Sequence, residues 1–379
     1  MDFNLNEDQR AIQDMARQFA EDVFYPNAAE WDEKKLWPSD VVKQAGELGF
    51  GSIYVSEEMG GCALSRVESA LIFEQLSKGC PSTAAMISIH NMATYMIDSF
   101  GNETVRKKYV PALSTLETLA SYCLTEPGAG SDAASIKTKA ERDGDDYILN
   151  GTKAFISGGG VSDVYVVMAK TSDQGAAGIS CFVVEKDTPG LSFGAQEKKM
   201  GWRSQPTSMV MFDECRIPAE NLVGDEGQGF KIAMQGLDGG RLNIAACSIG
   251  GAQRALDEAI VYTKERKQFG KTIAAFQATQ FKLADMQTDL EAARLMLYSA
   301  AQKVSNNTSD ATASAAMAKR FATDVGFDIV NDALQLHGGY GYIQEYPIER
   351  ILRDLRVHQI LEGTNEIMRV IIGRDLLKD

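Results

Sequence analysis

The apolar residues of this chain change their period twice along its length, and that double change limits the possible folds more than any other feature. Up to about residue 120 the spacing is helical. Asn6-Glu7-Asp8-Gln9 supplies an acidic first turn, and Ile12, Met15, Ala16 and Phe19 follow at intervals of three and four. Pro26 closes that segment, and a Gly-rich joint occupies 46–61. Leu71, Ile72 and Leu76 then lead into the Met-rich stretch Met86–Phe100. From about 121 to 232 short β-branched and aromatic runs take over, at Tyr147–Leu149, Val164–Ala169, Ile179–Val184 and Met209–Phe212. Asp143-Gly144, Asn150-Gly151 and Pro189-Gly190 punctuate them, which predicts antiparallel strands and tight turns. With no helical runs between the strands, a small β-domain is expected rather than a doubly wound sheet.

From about 233 onward helices return and are longer. The pattern predicts helices over 233–266, 275–305, 310–336 and 347–361. Leu283, Met286, Leu290, Ala293 and Leu297 form the stripe of the second, and Ile348, Ile351, Leu352 and Leu355 that of the fourth. Gly338-Gly339 stops the third. Four amphipathic helices predict a bundle. The expected fold is therefore mostly α with a central β-domain: an N-terminal helical domain over 1–120, a β-domain over 121–232 and a four-helix bundle over 233–379.

Charge and cysteine usage exclude several functions. The net charge of −14 argues against nucleic acid or an anionic membrane as partner, since phosphate-rich surfaces need a basic counterpart. Cys62, Cys80, Cys123, Cys181, Cys215 and Cys247 are scattered without a C-x-x-C, as expected for reduced, buried thiols. With His90, His337 and His358 as the only histidines, no zinc motif forms and no metal is expected. No apolar run reaches the ~18 residues of a membrane span. The start, Met1-Asp2-Phe3-Asn4, lacks a basic leader, so a cytoplasmic protein is expected, or a matrix protein if this is a processed mitochondrial form.

Nucleotide motifs fail: Gly270-Lys271-Thr272 lacks the upstream P-loop glycine, where Glu265 stands, and no G-x-G-x-x-G follows a strand. Other segments hold chemistry. Gln359–Arg369 runs an apolar pair, Ile360-Leu361, into Glu362 and Gly363. It reads either as a solvated helix end or as a carboxylate made basic by apolar neighbours. Tyr122–Asp132, with Pro127, Gly128 and Gly130, is a plain turn or a loop that lets backbone N–H groups approach a flat cofactor. Arg266-Lys267-Gln268-Phe269-Gly270 sets cations at a helix end, where they also complement the dipole. Met92, Tyr95, Met96 and Ser99 share a helix face that suits either core packing or an acyl-chain wall.

Taken together, six strings resemble the acyl-CoA dehydrogenase family over nearly the whole chain. They are YCLTEPGAGSD at 122–132, AFISG at 154–158, MGWRS at 200–204, ERKQFGK at 265–271, QLHGGYGY at 335–342 and LEGTNE at 361–366. The resemblance implies the same helix–strand–helix order with a β-barrel-like middle domain, bound FAD, a homotetramer and electron transfer to an electron-transfer flavoprotein. It makes Glu362 the base that takes the α-proton of an acyl-CoA. For FAD it implies Tyr122, Leu124, Thr125, Gly130 and Ser131, with Phe155, Ile156 and Ser157. Arg266, Phe276 and Gln277 would also touch FAD, Gln335, Leu336, His337, Gly338 and Gly339 would reach a neighbouring subunit's FAD, and Thr364, Asn365 and Glu366 their own. Ser131, Asp238, Gly239, Gly240, Arg241 and Arg374 would hold the CoA part.

Further strings, among them His90-Asn91-Met92, Ser204–Thr207 and Val357–Glu362, resemble members acting on short branched acyl chains. Leu361 stands where straight-chain members usually carry tyrosine, leaving room for a branch at the α-carbon. Some members place the base just before the arginine at 241, where this chain has Gly240. Isobutyryl-CoA oxidation to methacrylyl-CoA, a step of valine breakdown, is the expected reaction. Butyryl-CoA and 2-methylbutyryl-CoA are the alternatives, and an oxygen-using oxidase or a non-enzymatic assembly protein of the same fold are the more remote ones.

Overall fold

A computed structural model describes residues 4–378. Six helices open the fold: α1 (Glu7–Phe19), α2 (Ala28–Lys34), α3 (Ser39–Glu47), α4 (Arg66–Gly79), α5 (Pro81–Phe100) and α6 (Glu103–Ser114). Asn6 caps α1 and Ser65 caps α4, each in a reciprocal box with the residue three further on. Both α4 and α5 are buried almost all round, so they form the middle of the molecule rather than its surface.

The strands are β1 (Ala120–Cys123), β2 (Lys139–Asp143), β3 (Asp146–Ser157), β4 (Val164–Lys170), β5 (Ile179–Glu185), β6 (Leu191–Phe193), β7 (Thr207–Pro218) and β8 (Leu222–Val223). They build one sheet in the order β6-β7-β3-β2-β4-β5-β8, with β1 also on β4. The purely antiparallel expectation needs two corrections. β2 meets β4 in parallel at Lys139 and Lys170. β1 runs parallel to β4 over Ala120–Cys123, because the chain reaches it from α6 rather than through a hairpin. Along β4, Val164, Val166 and Met168 pack toward α5, α6 and the following helix. Tyr165, Val167 and Ala169 instead meet Tyr147, Phe182 and Phe212 of β3, β5 and β7, so the sheet curls around a core of its own.

Helices α7 (Gly229–Glu265), α8 (Gln277–Ser305) and α9 (Ala311–His337) follow, and short strands β9 (Lys267–Gln268) and β10 (Lys271–Thr272) bridge the first two. Leu290, Ala293 and Leu297 are buried as their spacing predicts. The fourth helix is shorter than expected: α10 covers only Ile348–Arg356, a 3₁₀ turn at Val357–Gln359 follows, and α11 (Asn365–Leu376) starts afresh. The break comes from Glu362 and Gly363, whose φ values of +53 and +92 no right-handed helix can contain. No helix among the described residues is long and apolar enough to cross a membrane.

Candidate active site

Glu362 therefore sits in a two-residue left-handed turn between α10 and α11. For a non-glycine residue that conformation is strained, and it persists only where surrounding contacts hold it. Two buried cations do so. Lys319 of α9 donates to the Gly363 carbonyl at 2.8 Å and to Asn365 Oδ1 at 3.0 Å. Arg241 of α7 donates through Nε to the Glu362 carbonyl at 3.3 Å and pairs with Asp238 at 2.7 Å. Thr364 caps α11 by accepting from the Ile367 N–H.

The side chain is held differently from the backbone. Glu362 as a residue is only half-buried, yet both carboxylate oxygens are shielded from solvent and accept no hydrogen bond. One of them rests on α7 at Gly240, where a Cβ would lie 2.4 Å from Oε2 and 2.9 Å from the Met92 sulfur. Burial pushes this carboxyl up to about 7, while Lys319 and Arg241 pull it down without touching it. Burial likewise brings Lys319 down to about 8. The Glu362 N–H has no acceptor among the described residues, so it is available to an oxygen placed beside it.

Leu361 lies in an apolar nest with Ala85, Ile89, Trp202 and Ile244, bordered by Tyr122 and Val357. The Tyr122 hydroxyl and the Trp202 indole N–H are buried without partners. His358 packs edge-on against Trp202 and is bonded to Ser248 Oγ at 2.7 Å. The Met-rich face packs into the core, the first of the two uses considered for it. Met92 and Met96 are core residues, and Met92 also borders the carboxylate.

Next to Tyr122, the loop to Asp132 is anchored from beneath. Lys153, fully buried, donates to Glu126 at 2.8 Å and to the Leu124 carbonyl at 3.1 Å. Glu126 in turn accepts from the Lys137 and Thr138 N–H groups, and the Thr125 carbonyl accepts from the Ala154 N–H. Above the anchor, a Cβ at Gly128 or Gly130 would meet nothing within 4 Å, and Ser131 is exposed. Phe155, at a register shift of β3, has φ +57 and turns its ring out with 68% exposure. Ile156 stays in the sheet, and the Ser157 carbonyl accepts from Ser121. An open backbone face, an outward aromatic ring and unpartnered buried polar atoms fit a large flat cofactor with polar edges.

A second group gathers elsewhere. Arg266, Gln335, Leu336, His337, Gly338 and Gly339 line an open cleft of about 460 Å³ with Tyr262 and Tyr340, and His337 stacks on Tyr262 at 4.4 Å. Phe276 and Gln277 stand at the start of α8 beside it. None of the Glu362 turn or the Tyr122 loop lines this cleft, so one chain does not bring the two groups together. Asp238 is tied to Arg241 and accepts from Thr312 at 2.7 Å, and Gly239 is packed against the Arg66 guanidinium. The Asn365 side chain is used inside the bundle, by Lys319, Thr323 and Asp324. Glu366 and Arg374 are exposed, and Arg374 makes no ion pair among the described residues.

Sequence reasoning missed Lys319, Lys153, Trp202 and His358. The signal for Lys319 was present: it interrupts the small-residue stripe Ala315, Ala318, Ala322 at a core-facing position. A buried lysine on such a stripe needs a partner, and here the partners are the backbone and side chain of the next break.

The fold and site define an enzyme that keeps one carboxylate dry and basic beside a platform for a flat cofactor. The chain matches the acyl-CoA dehydrogenase N-terminal domain over 6–117, the middle domain over 121–215 and the C-terminal domain over 227–377. It is 55% identical over 376 residues to a protein of Dictyostelium discoideum named isobutyryl-CoA dehydrogenase, mitochondrial, covering 99% of this chain and 90% of that one. The solved butyryl-CoA dehydrogenase of Megasphaera elsdenii superposes with TM-score 0.97 at 40% identity over all of both chains. PigA, solved with FAD and proline, superposes with TM-score 0.96 at 35% identity over 99% of each. The chain belongs to the acyl-CoA dehydrogenase family. It is a flavoprotein oxidoreductase with FAD as cofactor.

Proposed function

We propose that this chain oxidises isobutyryl-CoA to methacrylyl-CoA, a step of valine breakdown, with Glu362 as the base. The observation that carries the reading is the Glu362 carboxylate, shielded from solvent and free of hydrogen bonds, next to the Leu361 nest. An α-proton beside a thioester is too weakly acidic for an ordinary carboxylate of pKa ~4.3. Burial supplies the extra basicity, and the unengaged Glu362 N–H supplies a donor for the thioester oxygen as negative charge builds there. FAD, when bound, supplies the acceptor for the β-hydride. The open Tyr122–Ser131 loop and the Phe155-Ile156-Ser157 turn would hold its isoalloxazine. Thr364–Glu366 would meet it at the start of α11.

Asp238, Gly239, Gly240, Arg241 and Ser131 would carry the CoA part, with Arg374 reaching it from α11. Leu361 leaves space for the second methyl group of isobutyryl. A homotetramer belongs to the reading, because the cleft of Arg266 and Gln335–Gly339 is flanked by bare apolar surface. Phe269 is 94% exposed and Tyr342 82%, and such surface calls for cover. Electrons would leave to an electron-transfer flavoprotein, in the cytoplasm of a bacterium or the mitochondrial matrix. The three units at 1–120, 121–232 and 233–379 are taken as its domains.

The test is a comparison of kcat/KM for isobutyryl-, 2-methylbutyryl-, butyryl- and octanoyl-CoA with an artificial electron acceptor. A lead for isobutyryl-CoA is expected. A lead for butyryl-CoA would remove the branched-chain assignment and leave the chemistry in place. Failure of all four to reduce the flavin would remove both.

A further inference from the structure

A base for an α-proton must meet two demands that oppose each other. It must hold a proton tightly, which burial achieves, and it must still be ionised at the working pH, which burial opposes. A direct salt bridge would meet the second demand by occupying the lone pairs that should take the proton. The surroundings of Glu362 suggest a third arrangement. Lys319 is fully buried, makes no ion pair within 4 Å among the described residues, and directs its N–H groups to the Gly363 carbonyl and to Asn365. Those acceptors are neutral, and a glutamine or threonine could satisfy them. Burying an ammonium for them alone is disfavoured.

We propose that Lys319 is a positioning residue for the base: it holds the left-handed Glu362-Gly363 turn by a carbonyl and lends the carboxylate a positive charge that never contacts it. Arg241 does the same from α7 through the Glu362 carbonyl, although Asp238 offsets its charge. The remaining titratable groups facing Glu362 are Tyr122 of β1, Tyr54 of the segment before α4, and Cys247 of α7. All three are uncharged at neutral pH, because burial raises each of them. Met92 from α5 brings no charge. Asp324 and Glu366 lie near Lys319 and support its protonated form. Of the two cations that pull on the carboxyl, Lys319 and Arg241, Lys319 is the one without an ion-pair partner within 4 Å among the described residues.

The inference rests on Glu362 being the base, and the two fail differently. If Glu362 is not the base, holo Glu362→Gln still lets substrate bleach the flavin. The experiment for Lys319 compares the holoenzyme with Lys319→Gln, Lys319→Met and Lys319→Arg. The acid limb of the pH–kcat/KM profile is expected to move up by on the order of one pH unit in Lys319→Gln and Lys319→Met. In Lys319→Arg it should stay in place. A readout independent of turnover is thermal unfolding of Lys319→Gln with and without Glu362→Gln. Glu362→Gln should raise the melting temperature of Lys319→Gln more than that of wild type at pH 8. At pH 5, where the carboxyl is protonated in both, the excess should vanish. An acid limb that stays at its wild-type position in Lys319→Gln, with flavin content intact, would overturn the proposal. So would failure of both neutral variants to fold while Lys319→Arg folds with a displaced limb, since the lysine would then be a structural support only.

Discussion

Replacing Gly240 by alanine should separate stability from catalysis, in opposite directions. The new Cβ would lie 2.4 Å from Glu362 Oε2, 2.9 Å from the Met92 sulfur and 3.0 Å from Glu362 Cδ. All three are ends of flexible side chains, so the backbone need not move. Alanine is the better helix former in the interior of α7, by about 0.5–1 kcal/mol. Rearranging Met92 and Glu362 takes back some of this, and the melting temperature should stay within a few degrees of wild type. The carboxylate has less freedom. To restore a contact of about 3.5 Å, an oxygen starting at 2.4 Å must retreat by roughly 1 Å. Displacing a reacting group by about 1 Å costs on the order of 10²-fold, or about 3 kcal/mol in the barrier.

The assay is anaerobic flavin reduction by isobutyryl-CoA in a single turnover. The reduction rate should fall about 100-fold, with flavin content unchanged. A rate within about twofold of wild type, in a protein that keeps its flavin, would refute the reasoning. The Glu362 position seen against Gly240 would then not be the one from which it reacts.

Two further outcomes follow from buried charge. Glu362→Gln should stabilise the protein above neutral pH. The folded carboxyl, near 7 against an ordinary 4.5, binds its proton more tightly than the unfolded one, so its contribution is full below 4.5 and lost as pH rises through 7. The variant should gain about 3 kcal/mol over wild type at pH 8 and little at pH 5, and urea unfolding at both pH values checks it; equal differences at the two would contradict a raised carboxyl. Lys153→Met leaves Glu126 buried without its cation, which should destabilise by about 3–5 kcal/mol and loosen the Tyr122–Ser131 loop. Flavin absorbance per chain after gel filtration should drop, and retention of both stability and flavin would show that the loop does not depend on this anchor.

The periodicities carried the fold because burial follows them closely. The stripes of α8 and α10 face the core where the spacing placed them, with Leu283 and Leu352 only partly buried at their edges, and β4 alternates between two cores as a period of two demands. β1 could not be read from its own four residues: its parallel pairing with β4 is set by where α6 delivers the chain. The Glu362-Gly363 break was legible as a break, but its dryness was not. The shielding comes from Gly240 and Met92, 122 and 270 positions away in chain order, and no local pattern reports such contacts. Lys319 and Lys153 were legible in principle as lysines at core-facing positions. Reading them requires the prior decision that the position is buried, which a polar letter argues against.

The face of α7 shows how the site draws on the fold. Gly239 and Gly240 each lie about one turn on from Gly236 in α7. A Cβ at these positions would strike Met96 Cε at 1.9 Å, Arg66 Nη1 at 2.4 Å and Glu362 Oε2 at 2.4 Å. Each glycine costs about 1 kcal/mol of helix preference relative to alanine, so a helix in isolation would gain from losing all three. Neighbouring side chains occupy the volume of the missing methyl groups, and α4, α5 and α9 pack around the helix. Arg66 makes the functional part of the exchange visible. It stands in the first turn of α4, where a cation opposes the helix dipole, is 8% exposed, and stacks on Tyr54 at 3.6 Å with Nη1 unpartnered. Stability alone would select against such a residue. Its presence there, like the strained backbone of Glu362, fits a groove along these glycines that is shaped for more than the folded chain's own packing.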